Sequence, residues 1–282
     1  MSHQTYQLTA TDGVKLFAQG WMTEMTPKAL ILLLHGMGEH SSRYAHVGQA
    51  FNQAGFHLFT FDRRGHGRSD GRRGYTPSER QLMDDITLCL DHARSFAGEE
   101  IPVFIYGHSL GGIEALYYGL TCEPTLSGFI ITSPGLDLSS ANKKQLFLVK
   151  LLTPIMPKLS IATGLKGQTI FTSDPAISEA GNSDPLNLSQ TTLRMGKFLL
   201  DAVNTIIENA NQWHYPMLIM HSSGDLAVNI KGTEEFVKAV SYPITYKRWE
   251  GLYHELHNEP EKTEVFQTVF DWINTQISSD GD

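Results

Sequence analysis

Ile101-Pro-Val-Phe-Ile-Tyr-Gly107-His-Ser109-Leu-Gly111-Gly-Ile-Glu-Ala-Leu-Tyr-Tyr-Gly119 is an apolar run that breaks into Gly-x-Ser-x-Gly and then at once into a helical pattern. The spacing predicts a strand over residues 103–106 and a helix opening at Ser109. A serine on so sharp a strand-to-helix turn presents its hydroxyl. Gly107 and Gly111, two before and two after it, remove the Cβ atoms that would clash with the strained backbone. The helix N-terminus also leaves N–H groups beside the oxygen, where negative charge is stabilised. A plainer reading, in which Ser109 only caps the helix, stays open at this point.

Strands alternate with helices on either side of this turn. Residues 6–11 and 14–21 alternate apolar and polar about Asp12-Gly13, which predicts a hairpin with a two-residue turn. Residues 29–34 are apolar throughout and read as a strand buried on both faces, ending at His35-Gly36-Met37-Gly38. A helix over 43–54 and a strand over 56–61 follow. Thr76-Pro77-Ser78-Glu79 reads as a capping box with proline at the first helical position, opening a helix to about Phe96. Further strands are predicted at 128–132, 217–221 and 244–249. A closing helix to about Ile277 is capped by Asn258-Glu259-Pro260-Glu261, and a frayed tail begins at Ser278. The alternation implies a mostly parallel sheet covered on both faces, with function at the carboxyl ends of its strands.

Residues 138–213 break the rhythm. They hold no buried-strand pattern, only an apolar run at 146–152 before Pro154 and Pro157, and a helical pattern over 193–211. This is read as a helical cap over the active site, with 1–137 and 214–282 forming the core. Some of its apolar residues are expected to line an acyl-chain pocket or to touch lipid.

Of 282 residues, 41% are hydrophobic and 18% charged, enough for a large core and too apolar for disorder. A net charge of −8 without a basic block argues against nucleic acid. Cys89 and Cys122 fall in helical patterns and read as small core residues, independent of disulfides. The start of the chain shows no secretory signal, so the expected location is cytoplasmic, with the cap as a transient contact for membranes or micelles. Oligomeric state is not readable.

Acyl transfer by serine needs a base, an acid to orient the base, and donors for the oxyanion. His254 lies just past the last strand, and Asp225 one turn beyond the strand at 217–221. The order Ser109, Asp225, His254 is that of an α/β-hydrolase. Competing acids, Asp174, Asp184 and Asp201, lie in the insertion. The oxyanion donors are expected from the backbone N–H groups of Leu110, which follows the serine, and Met37, although His35-Gly36 also reads as an ordinary turn. The twelve histidines are scattered without metal-ligand spacing, so neither metal nor cofactor is expected. Gly65-His66-Gly67 with Gly71 and Gly74 reads as a structural turn rather than a phosphate cradle. Because a histidine base must be neutral, kcat/KM is expected to fall as pH drops through about 6 to 7.

Five stretches resemble the monoacylglycerol lipase and lysophospholipase-like branch of the α/β-hydrolases. They are His35-Gly36-Met37-Gly38-Glu39-His40-Ser41-Ser42-Arg43-Tyr44, Asp62-Arg63-Arg64-Gly65-His66-Gly67-Arg68-Ser69-Asp70-Gly71, Gly107 to Gly112, Asp184-Pro185-Leu186 and Tyr253-His254-Glu255-Leu256-His257. The resemblance implies a serine esterase with a helical cap, acting on glycerol esters of single fatty acids. It also implies that Glu39, Arg43 and His257 lie near the glycerol end, where buried polar partners would reject ligands lacking hydroxyls. Glu39 and Arg43 are equally placed for a plain i, i+4 surface pair. The acid's loop, Ser223-Gly224-Asp225-Leu226-Ala227-Val228-Asn229, departs from the family pattern. A lysophospholipase, a short- or medium-chain carboxylesterase, a peptidase and a non-catalytic module on the same fold remain as alternatives. A carboxylate-nucleophile enzyme does not, since position 109 is serine.

Overall fold

The computed structural model describes residues 2–98, 100–137, 143–163 and 169–279. In chain order it holds β1 (Ser2–Thr9), β2 (Lys15–Met22), β3 (Leu30–Leu34), α1 (Ala45–Gln53), β4 (His57–Phe61), α2 (Glu79–Ala97), β5 (Val103–His108), α3 (Leu110–Cys122) and β6 (Gly128–Thr132). There follow α4 (Lys143–Leu152), β7 (Ser160–Ala162), α5 (Pro175–Ser183), β8 (Gln190–Thr192), α6 (Leu193–Glu208), β9 (Met217–Ser222), α7 (Lys231–Ala239), β10 (Thr245–Trp249) and α8 (Lys262–Ser279). The eight-stranded main sheet runs β1-β2-β4-β3-β5-β6-β9-β10. It is parallel from β4 to β10, with β1 and β2 antiparallel at one edge. This is the α/β-hydrolase architecture.

The apolar strands β3, β4, β5, β6 and β9 are buried along their whole length, as strands covered by helices on both faces must be. One face packs on α2, α3 and α6 through Leu82, Leu116 and Phe198, and the other on α1 and α8 through Phe51 and Trp272. The chain leaves β3 for β4 on one side and then returns to β5 on the other, so β3 and β5 flank a topological switch point. Leu34 pairs with Gly107 there, and the loops after β3 and β5 emerge side by side. At the other end of the edge Trp249 pairs with Ser222, which brings the loops after β9 and β10 together.

Several local expectations are corrected. The hairpin loop is one residue longer than the Asp-Gly pair suggests: Ala10 and Val14 still pair, Gly13 N–H reaches Ala10 O at 2.8 Å, and Gly13 has φ 85°. That is a three-residue turn ending in a left-handed glycine. The cap of α2 is Ser78, whose hydroxyl accepts from Gln81 N–H at 3.1 Å, while Thr76 Oγ1 instead bonds Ser78 O. Ser78, extended at φ −158°, stands directly before the first helical residue, where its hydroxyl meets the free N–H groups. Asn258 does not cap the last helix; its amide donates to Glu255. Ser278 is helical rather than frayed, and Cys122 is exposed at the end of α3 while Cys89 is buried.

Between β6 and β9 the chain carries α4, the short antiparallel pair β7–β8, α5 and α6. Among the described residues of these elements, those of α6 alone join the main core, burying Phe198, Ala202, Val203 and Ile206 beside α3. Val149 packs with Leu193 and Leu200 in a small separate cluster. The expected boundary at Leu138, the side chain of Leu146 and the tail residues 280–282 lie outside the described residues.

Candidate active site

Ser109 sits between β5 and α3 with φ 53° and ψ −114°, a left-handed conformation that costs a side-chain-bearing residue about 1–3 kcal/mol. Its N–H is spent on Thr132 O at 2.9 Å, which pins the turn to β6. Its hydroxyl makes no capping bond, so the reading of Ser109 as a helix cap falls away. The flanking glycines are required by close approach. A Cβ on Gly107 would stand 2.4 Å from Gly111 O, and one on Gly111 would stand 2.1 Å from Leu34 O.

The loop after β3 is held open by a buried carboxylate. Glu39 Oε1 accepts from Gly36 N–H and from the Tyr44 hydroxyl, both at 2.6 Å. Met37 N–H and Leu110 N–H donate no hydrogen bond among the described residues, and both residues line the same cavity as Ser109. Two free backbone donors beside one hydroxyl can hold a developing oxyanion.

Asp225, in the loop after β9, is fully buried and accepts His254 Nδ1–H at 2.7 Å on Oδ2. Its Oδ1 takes the N–H groups of Ala227 and Val228 at 2.8 Å each. Burial pushes its carboxyl up, but the bonds from His221, His254 and Val228 outweigh that and hold it well below the usual carboxylate range. The departure of this loop from the family pattern therefore leaves Asp225 in contact with His254. The competing acids are occupied elsewhere: Asp174 caps α5, Asp201 pairs with Lys197, and Asp184 bonds His40 at 3.0 Å.

His254 lines the cavity with Ser109. No hydrogen bond joins the two side chains, as is common before substrate tightens such a row. His108, its ring 4.9 Å from that of His254, is driven well below the ordinary histidine range by burial and is neutral at pH 7.

The residues expected near a glycerol end separate into two places. Arg43 Nε donates to Glu39 at 3.0 Å, and its Nη2 donates to both oxygens of Glu255 at 3.1 and 3.0 Å. The pair is thus neither exposed nor isolated, but part of a buried network on the cavity wall. His257 lies behind that wall, stacked 4.7 Å from Tyr44, with both ring nitrogens unpartnered and burial holding it neutral. Among the described residues no His, Cys, Asp or Glu cluster has metal-holding geometry.

The cavity measures about 300 Å³. Ile113 of α3 with Leu199 and Val203 of α6 supply apolar wall, while Glu39, Arg43 and Glu255 supply the polar wall. The 146–152 run contributes no lining side chain among the described ones; Phe147, Leu148 and Leu151 face outward instead.

Three contributors escape sequence reasoning. His221 donates Nε2–H to Asp225 Oδ2 at 3.0 Å. Ser133, at φ 47°, donates its hydroxyl to His254 O at 2.8 Å. Phe171 O accepts Glu255 N–H at 2.7 Å. A polar residue at the carboxyl end of a fully apolar strand was the available signal for the first two; nothing local marks Phe171.

Residues 25–261 match the serine aminopeptidase family S33. The chain is 33% identical to an abhydrolase domain-containing protein of Dictyostelium discoideum, over 99% of this chain but 30% of that protein's length. It is 31% identical to the phospholipase YtpA of Bacillus subtilis, over 86% of this chain and 94% of the relative. It is 30% identical to the monoglyceride lipase of Rattus norvegicus, over 97% of this chain and 91% of that one. The solved monoacylglycerol lipase of Paleococcus ferrophilus superposes with a TM-score of 0.83 at 28% identity, covering 93% of this chain and 99% of that one. The chain belongs to the serine aminopeptidase S33 family and is a serine hydrolase of the monoacylglycerol lipase-like α/β-hydrolases.

Proposed function

We propose that this protein hydrolyses monoacylglycerols to fatty acid and glycerol through an acyl-enzyme. Ser109 Oγ attacks the ester carbonyl while His254 takes its proton, and Asp225 holds the ring and stabilises its cation. The N–H groups of Leu110 and Met37 receive the oxyanion, each worth about 3 kcal/mol in the transition state. His254 returns the proton to the departing glycerol oxygen. Water, activated by His254 in turn, releases the fatty acid. The sequence uses protein groups and water alone.

The observation that carries this reading is the two-sided cavity, which joins Ser109 to aliphatic wall from α3 and α6 and to the Glu39–Arg43–Glu255 network. An amphiphile with one acyl chain and a hydroxylated head matches both walls. Glu39 and Arg43 face the glycerol, and His257 supports that end from behind. Residues 138–213 serve as the cap. Phe147, Leu148, Leu151, Ile155, Met156 and Leu159 are exposed along one stretch of it, Ile155 at 77%, and give it a face for transient contact with lipid surfaces from the cytoplasm. No helix among the described residues is long and apolar enough to cross a membrane.

A fluorophosphonate probe and an ester panel test the proposal. Wild type is expected to label and Ser109→Ala is not; equal labelling of both rejects the nucleophile. A monooleoylglycerol should be preferred over p-nitrophenyl acetate and over aminoacyl p-nitroanilides. The likeness to a phospholipase supplies the second reading, and preference for lysophosphatidylcholine over monooleoylglycerol would select it. Ile155→Ser should weaken sedimentation with phosphatidylcholine vesicles while sparing turnover of a soluble ester. Unchanged sedimentation removes the lipid-contact assignment.

A further inference from the structure

The carboxylate beside His254 has a second histidine on the same oxygen. His221 stands at the carboxyl end of β9, fully buried, with Nε2 3.0 Å from Asp225 Oδ2. That is the oxygen 2.7 Å from His254 Nδ1. An ionised carboxylate only accepts, so both rings present N–H to it. With Nε2–H committed to the carboxylate, the neutral ring's Nδ1 is free to accept, and Thr233 Oγ1 on α7, 2.7 Å away, can donate to it and hold the ring from the far side. Oδ1 is filled by the Ala227 and Val228 N–H groups, so the carboxylate cannot rotate without losing a bond.

We propose that His221, locked by Thr233, is a positioning residue that aims Asp225 at His254 and draws off part of its charge. The inference rests on Ser109, His254 and Asp225 acting together as proposed above. An oxygen shared between two donors interacts less strongly with either one. Removing His221 then has two consequences: the carboxylate loses its aim, which lowers turnover, and its charge falls more fully on His254, which favours the imidazolium. The acid limb of kcat/KM therefore moves to higher pH. The other titratable groups facing His254 are His108, His257 and Glu255; the first two are held neutral by burial, and Glu255 is bound to Arg43 and Asn258.

The test compares His221→Leu, His221→Gln and Thr233→Val with wild type on a soluble ester, with active sites counted by fluorophosphonate titration. His221→Leu should lose roughly tenfold in kcat per labelled site with little change in KM, and its acid limb should rise by a few tenths of a pH unit. His221→Gln, whose amide can still donate to Asp225, should recover most of the rate and the wild-type limb. Thr233→Val should show the Leu effects in weaker form. If His221→Leu does not fold, the Gln and Val variants decide alone: wild-type rate and limb in Thr233→Val overturn the proposal. So do an unchanged rate per site and limb in a folded His221→Leu. A fully active Ser109→Ala would instead bring down the underlying reading, which keeps the two failures apart.

Discussion

On the sheet side of the cavity, the carboxylates behind the site and the Ser109 turn are each held from more than one direction. Asp225 takes four hydrogen-bond donors, Glu39 takes three, and the Ser109 turn is fixed by Thr132 O and by two glycines at which a Cβ would press on neighbouring backbone. On the other side, the described residues of 143–213 line the cavity with a mix of apolar and polar side chains such as Leu199, Val203, Ser178 and Asn182, and six large apolar side chains between Phe147 and Leu159 face solvent. The difference teaches where tolerance lies. Reacting atoms need positions held within a fraction of an ångström, whereas a wall for an alkyl chain needs only volume and apolarity.

Acid should separate the two sides most sharply. All twelve histidines lie outside 138–213. Burial holds His35, His108 and His257 well below the ordinary range and pushes His66 down to about 3. Unfolded copies of these residues take up protons below about pH 6.5 that the folded ones refuse. At these four positions the folded state therefore binds fewer protons, and their contribution to stability falls as pH falls, by up to ~1.4 kcal/mol per pH unit for each histidine. Denaturant melts at pH 7 and pH 5 should show this fall; equal midpoints would break the comparison. Asp225, held ionised, adds no change in that window.

Gly111→Ala comes next. Its methyl would stand 2.1 Å from Leu34 O and 2.9 Å from His35 O, forcing the elbow away from the loop that carries Met37. A shift of that size should lower kcat by about 10²-fold with the fold retained, read by fluorophosphonate labelling rate and circular dichroism. A variant within twofold of wild type would show that the edge is looser than its contacts imply. Leu199→Trp, on the tolerant side, should have the smallest effect. It should cost about tenfold in kcat/KM for monooleoylglycerol and leave a butyrate ester within about twofold, because it shortens the apolar wall without touching the edge. Equal losses on both esters would show that α6 positions the chemistry as well.

The same division governs what the residues disclosed in advance. Burial on both faces forces continuous apolar runs, so β3, β5, β6 and β9 are readable, and Ser109 and Asp225 follow from the ends of β5 and β9, whereas His254 follows the more exposed β10. The hairpin turn and the Ser78 cap were displaced by one or two residues, because neighbouring turn formers compete for the same N–H groups. β7, β8 and α5 carry no signal of their own: the two strands are three residues each, and α5 buries no residue. His221 was read merely as part of a strand, since its partners Asp225 and Thr233 are joined to it by a loop whose shape no periodicity encodes. The Glu39–Arg43 pair was legible as i, i+4 neighbours, but Glu255, 212 positions from Arg43, was not.

Among the backbone bonds that tie the described residues of 143–213 to the core, two reach the neighbours of site residues. Leu188 N–H reaches Gly38 O at 2.6 Å, and Glu255 N–H reaches Phe171 O at 2.7 Å. Gly38 adjoins Met37, and Glu255 adjoins His254, so each fastening lies one peptide unit from a group that must be aimed. A displacement of Phe171 or Leu188 would therefore pull on the peptide units beside His254 and Met37. Room for a bulky lipid and fixed geometry at the reacting groups are then competing demands on the same few atoms.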